Sequence, residues 1–193
     1  VTRASVIYTA YGLLMQKYTN QDDVIFGTPI SNRDAALVGI DRVMGNFINT
    51  LPLRVSCTAD QTLLEVVKKV GNELIVRNQY SHTSYNEIKE ILKLKPKYEL
   101  FDSILVIENY PLDLKAINVN TEFTISLKST YGDTGLPIVI HAFFKEVLEI
   151  EIMYQTNLLS EDFILTFAEH FKSMLQAILK APENTVGSLE YLT

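Results

Sequence analysis

Few side chains in this sequence could do chemistry, and their spacing limits what they could do. Three histidines, His82, His141 and His170, are scattered over 193 residues, with none adjacent to another and none at metal-ligand spacing. His170 falls on the polar side of a helical pattern and reads as a surface histidine. His82 falls in a turn. His141 stands between Ile140 and Ala142 in a strand pattern, turned away from its apolar neighbours, and reads more simply as a satisfied structural imidazole than as a proton carrier. The single cysteine, Cys57, has no basic partner nearby in sequence to stabilise a thiolate. It reads as a small apolar residue at a strand end. One cysteine makes neither an internal disulfide nor a multi-cysteine zinc site, and it suits a reducing cytoplasm. No Gly-rich phosphate loop and no Gly-x-Ser-x-Gly elbow occurs. Glu149 and Glu151 alternate along a strand and face water. What stands out is "MGNFINTLPLRV" (44–55), an apolar strand that carries Asn49 in its middle and Arg54 further along. An amide there can donate and accept at once.

The elements that must position these groups follow from periodicity. Residues 1–19 predict a helix with Val1, Ala4, Tyr8, Tyr11, Met15 and Tyr18 on one face. "VIFGTPIS" (24–31) predicts a strand that Pro29 marks as an edge, a bulge or a strand end. Residues 32–45 read as a loop and 46–56 as a strand. In that strand Phe47, Asn49, Leu51, Leu53 and Val55 share one face, and Ile48, Thr50, Pro52 and Arg54 share the other. A helix over 62–80 carries the stripe Leu63, Val67, Val70 and Leu74, capped by Asp60 or Thr62. A shorter one over 84–94 begins with the Ser84/Glu87 spacing of a capping box. Strands are expected at 101–110, 119–129, 136–145 and 147–155, the last two joined as a hairpin around Lys145 and Glu146. A last helix over 161–180 starts at a Ser160 cap, with Phe163, Phe167, Phe171, Met174 and Ile178 inward. "KAPENTVGSLEYLT" (180–193) then reads as a polar turn and an apolar latch.

The order α β β α α β β β β α predicts an α/β unit layered about a mixed sheet. No internal repeat or linker divides it. A net charge of −6 with no basic stripe argues against nucleic-acid binding. No run of 18 apolar residues offers a membrane span, and the first residues lack a secretory cleavage pattern.

Four stretches, in order, resemble the condensation domains of nonribosomal peptide synthetases. "QDDVIFGTPISNRDAAL" is similar to the strand and loop ahead of that family's fifth core motif. "MGNFINTLPLRV" resembles the motif itself, roughly Ile-Gly-x-Phe-Val-Asn-Thr followed by an arginine. "LFDSILVIENYP" resembles Phe-Asp-x-x-x-Val-Phe-Glu-Asn-Tyr-Pro, and "ILTFAEHFKSMLQAI" with "VGSLEYLT" resembles the last helix and closing segment. The family's catalytic signature, His-His-x-x-x-Asp-Gly, lies in the N-terminal half of the domain, and this sequence has no His-His pair.

The resemblance therefore implies that residues 1–193 are one chloramphenicol-acetyltransferase-like lobe, a mixed-sheet layered α/β sandwich, with the N-terminal lobe absent. It implies one wall of a tunnel where the amine of an aminoacyl carrier-protein thioester attacks a donor thioester to form a peptide bond. No bound cofactor or metal is implied, because the substrates ride on 4′-phosphopantetheine of carrier proteins. The implied partners are the N-terminal lobe, peptidyl and aminoacyl carrier proteins and an adjacent adenylation domain. Self-association through an exposed apolar inter-lobe face is left open.

Tunnel positions carried over are Ser31, Gly45, Phe47, Asn49 and Thr50. Asn49 is expected to point at the reaction centre, the alternative being a structural amide that holds the loop before Gly45. Gly45 is expected at a tight turn needing positive φ, and Phe47 in packing. Arg33 and Arg54 are candidates for bracing a loop or meeting the other lobe. "NFINT" favours condensation over epimerization and leaves cyclization open. Alone, the chain is expected to be inactive. The alternative reading is a non-catalytic module that displays a carrier- or partner-binding face. A trimeric acetyltransferase relative would need a C-terminal catalytic histidine, which His170 in its helical pattern does not supply.

Overall fold

A computed structural model of the chain describes residues 1–33, 38–108 and 135–189; the strand expected at 119–129 lies outside them. In chain order the described elements are α1 (Arg3–Thr19), β1 (Asp23–Ile30), β2 (Asn49–Ser56), α2 (Leu63–Asn78), α3 (Tyr85–Ile91), β3 (Ser103–Glu108), β4 (Ile138–Phe144), β5 (Leu148–Tyr154) and α4 (Glu161–Lys180). The helices begin where short hydroxyl side chains satisfy the free N–H groups of a first turn. Thr2, Thr62 and Ser84 each form a reciprocal capping box, with Ser5, Glu65 and Glu87, and Ser160 accepts from the Phe163 N–H. α1 stops at Asn20, which takes a left-handed conformation.

The five strands form one mixed sheet in the order β2-β1-β3-β4-β5. β1 runs antiparallel to β2 and parallel to β3; β3 is parallel to β4, and β4 and β5 form the expected antiparallel hairpin. Pro29 marks a strand end, because β1 stops one residue beyond it. It opposes Thr50 of β2, whereas the pairing of β1 with β3 lies at Gly27 and Ile104. An imide nitrogen is tolerated where no ladder bond is required of it.

One face of the sheet, with Phe26, Leu53, Val55, Leu105, Ile140 and Ala142, packs into a core with α1, α2 and α4. Tyr11 sits in its middle, edge-on to Phe26 at 4.8 Å and to Phe171 at 6.0 Å, an arrangement that brings positive ring edges to negative faces. α1 does not bury the single stripe expected of it. Val1 is 77 % exposed, whereas Ile7, Ala10, Leu13 and Leu14 are buried beside Tyr8 and Tyr11. The reason is placement: α1 packs against the sheet, α2 and α4 together, so it is wrapped on nearly every side.

Two positions of α4 exchange roles relative to expectation. Phe163 is 36 % exposed, and His170 is only 7 % exposed. Tyr18 at the end of α1 reaches the His170 Nδ1 at 2.8 Å, which lets an imidazole sit inside without an orphaned nitrogen on that side. The closing segment does latch. Val186 is buried and its N–H donates to the Gln61 carbonyl, while the Asn184 carbonyl accepts from the Leu63 N–H at the start of α2.

The other face of the sheet is mixed. Glu108, His141 and Phe143 lie on it, and Phe101 packs over Gly27, where an added Cβ would fall 2.5 Å from the ring. Glycine there is a requirement of space.

Candidate functional site

β1 lies between β2 and β3, so the chain leaves it first to one side and later returns on the other. In open sheets with parallel strands, the crevice outside the carboxyl ends of the two strands at such a switch point is the usual ligand site. A groove of about 670 Å³ lies there. Tyr8 of α1, Arg77 of α2, Ser31 and Arg33 beyond β1, and Glu108 at the end of β3 line it. A second groove of about 540 Å³ is lined by Asn49, Thr50, Tyr85, Glu99, Phe101 and Ile104. Ile48 borders both.

Of the stretch "MGNFINTLPLRV", Ile48, Asn49 and Thr50 line these grooves, and specific bonds fix the residues around them. Arg33 is a loop brace: its guanidinium donates to the carbonyl oxygens of Ile40, Val43 and Gly45 at 3.0–3.2 Å. It also stacks over the Phe47 ring at 4.8 Å. Gly45 does not have the positive φ expected of it; among the described glycines only Gly39 and Gly135 do. A Cβ at Gly45 would come within 3.2 Å of the Phe47 ring, so glycine makes room for that ring rather than for a turn.

Asn49 does hold structure, although not the loop before Gly45. Its Nδ2 donates to the carbonyls of Ser81 and Thr83, both at 2.8 Å, and its Oδ1 accepts from the Thr50 N–H. It thus pins the connection between α2 and α3 to the start of β2. Asn32, not singled out from the sequence, joins it by donating to the same Ser81 carbonyl at 3.0 Å. Its left-handed φ of 51° is the kind Asn tolerates; an Asn two residues past the end of β1, shortly after Pro29, was the available signal. Arg54 lies apart from both grooves, on the exposed flank of β2. It is bidentate to Asp23 at 2.8 and 2.5 Å, and that bonding holds the Asp23 carboxyl below the usual carboxylate range.

Several groups in the first groove had no local sequence signature. Arg77 Nη1 donates to the Thr28 hydroxyl, whose own hydrogen goes to the Leu51 carbonyl. Tyr8 adjoins Arg77, and burial pushes its phenol up to about 12. Glu108 Oε1 lies 3.0 Å from Nδ1 of His141, and the buried Nε2 of that ring has no partner. Cys57 is buried at the end of β2 with its thiol directed to Gln16 Oε1, and burial raises it further from a reactive thiolate. Among the described residues no cluster of three or more acidic, histidine or cysteine side chains could hold a metal, and no helix is long and apolar enough to cross a membrane.

Comparisons with known proteins agree with this fold. The family profile described as "Condensation domain" matches residues 1–193. Tyrocidine synthase 2 of Brevibacillus parabrevis is 35 % identical over 182 residues, covering 92 % of this chain and 5 % of its own length. Gramicidin S synthase 2 of Brevibacillus brevis is 30 % identical over 197 residues, covering 100 % of this chain and 4 % of its own length. The chain therefore spans a small fraction of the curated relatives it matches. Among solved structures, a four-domain nonribosomal peptide synthetase bound to AMP and glycine superposes with a TM-score of 0.86 at 17 % identity, over 99 % of this chain and 16 % of that one. The X-domain in complex with OxyB from teicoplanin biosynthesis superposes with a TM-score of 0.80 at 20 % identity, over 100 % of this chain and 43 % of that one. These likenesses concern the fold.

Proposed function

The chain belongs to the condensation-domain family of nonribosomal peptide synthetases, and from that premise we propose that residues 1–193 form the C-terminal lobe of such a domain. The observation that carries this reading is a family match along the whole sequence that contains no His-His-x-x-x-Asp-Gly signature. The lobe supplies one wall of the tunnel in which the amine of an aminoacyl carrier-protein thioester attacks a donor thioester. The proton-handling histidine belongs to the N-terminal lobe, and the substrates arrive on phosphopantetheine arms of carrier proteins supplied by neighbouring modules.

A wall of this kind needs apolar surface with a few fixed polar groups. The second groove fits that description, with Ile48, Phe101 and Ile104 beside Asn49, Thr50 and Tyr85. Ser31 contributes to the other groove across Ile48. On this reading Asn49 acts by placement: it locks the α2–α3 connection against β2, and so sets the shape of the wall that the acyl groups meet. Phe47 and Gly45, held by Arg33, fix the loop that leads into it.

The test is reconstitution. Donor and acceptor carrier proteins, each loaded with its aminoacyl group, are incubated with the 193-residue chain and, in parallel, with the full-length protein. Amide product is expected from the full-length protein alone. Product from the isolated chain above a no-protein control would overturn the reading.

A further inference from the structure

The groove at the switch point holds a positive charge that the described residues of its walls do not balance. Arg77 enters it from the last turn of α2. Its Nη1 donates to Thr28, its neighbour Tyr8 is a phenol, and its buried Nε has no partner. No carboxylate pairs with it among the described residues. Tyr8 cannot serve as the counter-charge, because burial holds its proton up to about pH 12. Glu108, the carboxylate on this groove, is engaged with His141 at 3.0 Å.

Arg33 adds a second guanidinium. Its bonds go to the loop carbonyls of Ile40, Val43 and Gly45, which are neutral dipoles and leave its charge in place. Among the described residues that line the groove, two guanidiniums thus stand with one carboxylate, a surplus of a single unit. Burial works against the Arg77 cation, yet a guanidinium keeps its proton in proteins. A buried charge without a partner is costly, and an apolar side chain of like length would fill the same space without that cost.

We infer that Arg77 is the anchor of a carboxylate-binding site at the carboxyl ends of β1 and β3. The surplus matches a monoanion, whereas a phosphate dianion would exceed it and be repelled by Glu108. Planar guanidinium and carboxylate also match in shape. The carboxylate comes either from a small bound acid or from an aspartate or glutamate elsewhere in the full-length protein. Because the charge balance is local, the site does not depend on which reaction the domain serves.

The experiment uses the full-length protein, crystallised without carboxylate buffers and then soaked with N-acetylglycine, N-acetylglycinamide or inorganic phosphate. Melting temperatures are followed with the same three probes. An aspartate or glutamate oxygen on Arg77 in the unsoaked crystals assigns the site to the polypeptide. N-acetylglycine seated on Arg77, with a rise in melting temperature that the amide does not produce, assigns it to a small acid. In that second case the response is expected to be lost in Arg77→Met and weakened in Arg77→Lys, which keeps the charge and the fold but not the fork. Water alone on Arg77 under every condition, or phosphate bound in preference to N-acetylglycine, would overturn the inference.

Discussion

On the helix-covered face of the sheet, Phe26, Leu53, Val55, Leu105 and Ile140 are all but fully buried and meet three helices. On the opposite face, Glu108, His141 and Arg54 stand among Ile104, Phe101 and Phe143, and a groove opens beside them. Both faces come from the same strands, one residue out of phase. The first is filled by packing; the second pairs Glu108 with His141 and Arg54 with Asp23 and leaves space. Packing dominates the one and pairing the other, so a substitution should betray its face by the size and kind of its effect.

The largest effect is expected at the centre of the covered face. Phe171→Ala removes a fully buried ring that packs against Tyr11 and should cost about 3–5 kcal/mol in urea unfolding. A cost under about 1 kcal/mol would mean that this face is not one packed core.

Alkaline titration probes the same face. The folded Tyr8 phenol lies near 12 against an ordinary value of 10.0, and Tyr11 is raised as well, both by burial. A raised folded value means that the folded state holds its proton longer. The stabilisation is therefore complete below pH 10 and is lost as pH rises through the folded values, by roughly 2–3 kcal/mol for Tyr8. Unfolding free energy that stays flat from pH 9 to about 12 would place these phenols in water.

On the open face, Gly27→Val should cost up to about 3 kcal/mol, because its Cβ would lie 2.5 Å from the Phe101 ring and 2.8 Å from Ile104. The near-ultraviolet circular dichroism of the aromatic residues should shift with it. Asn49→Ala removes two hydrogen bonds to Ser81 and Thr83 and should cost about 1–2 kcal/mol. Amide exchange should rise selectively in residues 79–84; a uniform rise would remove Asn49 from the role of a local pin.

The smallest effect belongs to the exposed fork between Arg54 and Asp23. Arg54→Ala should leave the urea midpoint at neutral pH nearly unchanged, since solvent screens such pairs. The depressed Asp23 value still has a sign. Its contribution is present above the ordinary carboxylate range and lost as pH falls through the folded value, so wild type and variant should converge in acid. Divergence in acid would contradict the pairing.

Much of this architecture could be read from short stretches. The caps at Ser84 and Ser160 and the β4–β5 hairpin depend on residues a few positions apart, and they stand where the pattern put them. Alternation in β2 also held, with Leu51, Leu53 and Val55 inside and Arg54 outside. His170 was misread because helical phase describes one element, while its burial depends on Tyr18, 152 residues away. Gly45 was misread because its neighbour across space is the Phe47 ring rather than a turn. Arg77 gave no signal at all, since its surroundings are assembled from α1, β1 and α2.

By itself, then, the sequence determined the described helices and strands, the mixed-sheet class and the membership of a family, because hydrophobic period, capping and ordered motifs are local and additive along the chain. Only the tertiary structure decided what Asn49, Arg33 and Arg77 touch. A hydrogen-bonding group is promiscuous in sequence, and it acquires one meaning only when folding removes water and leaves it a single set of neighbours.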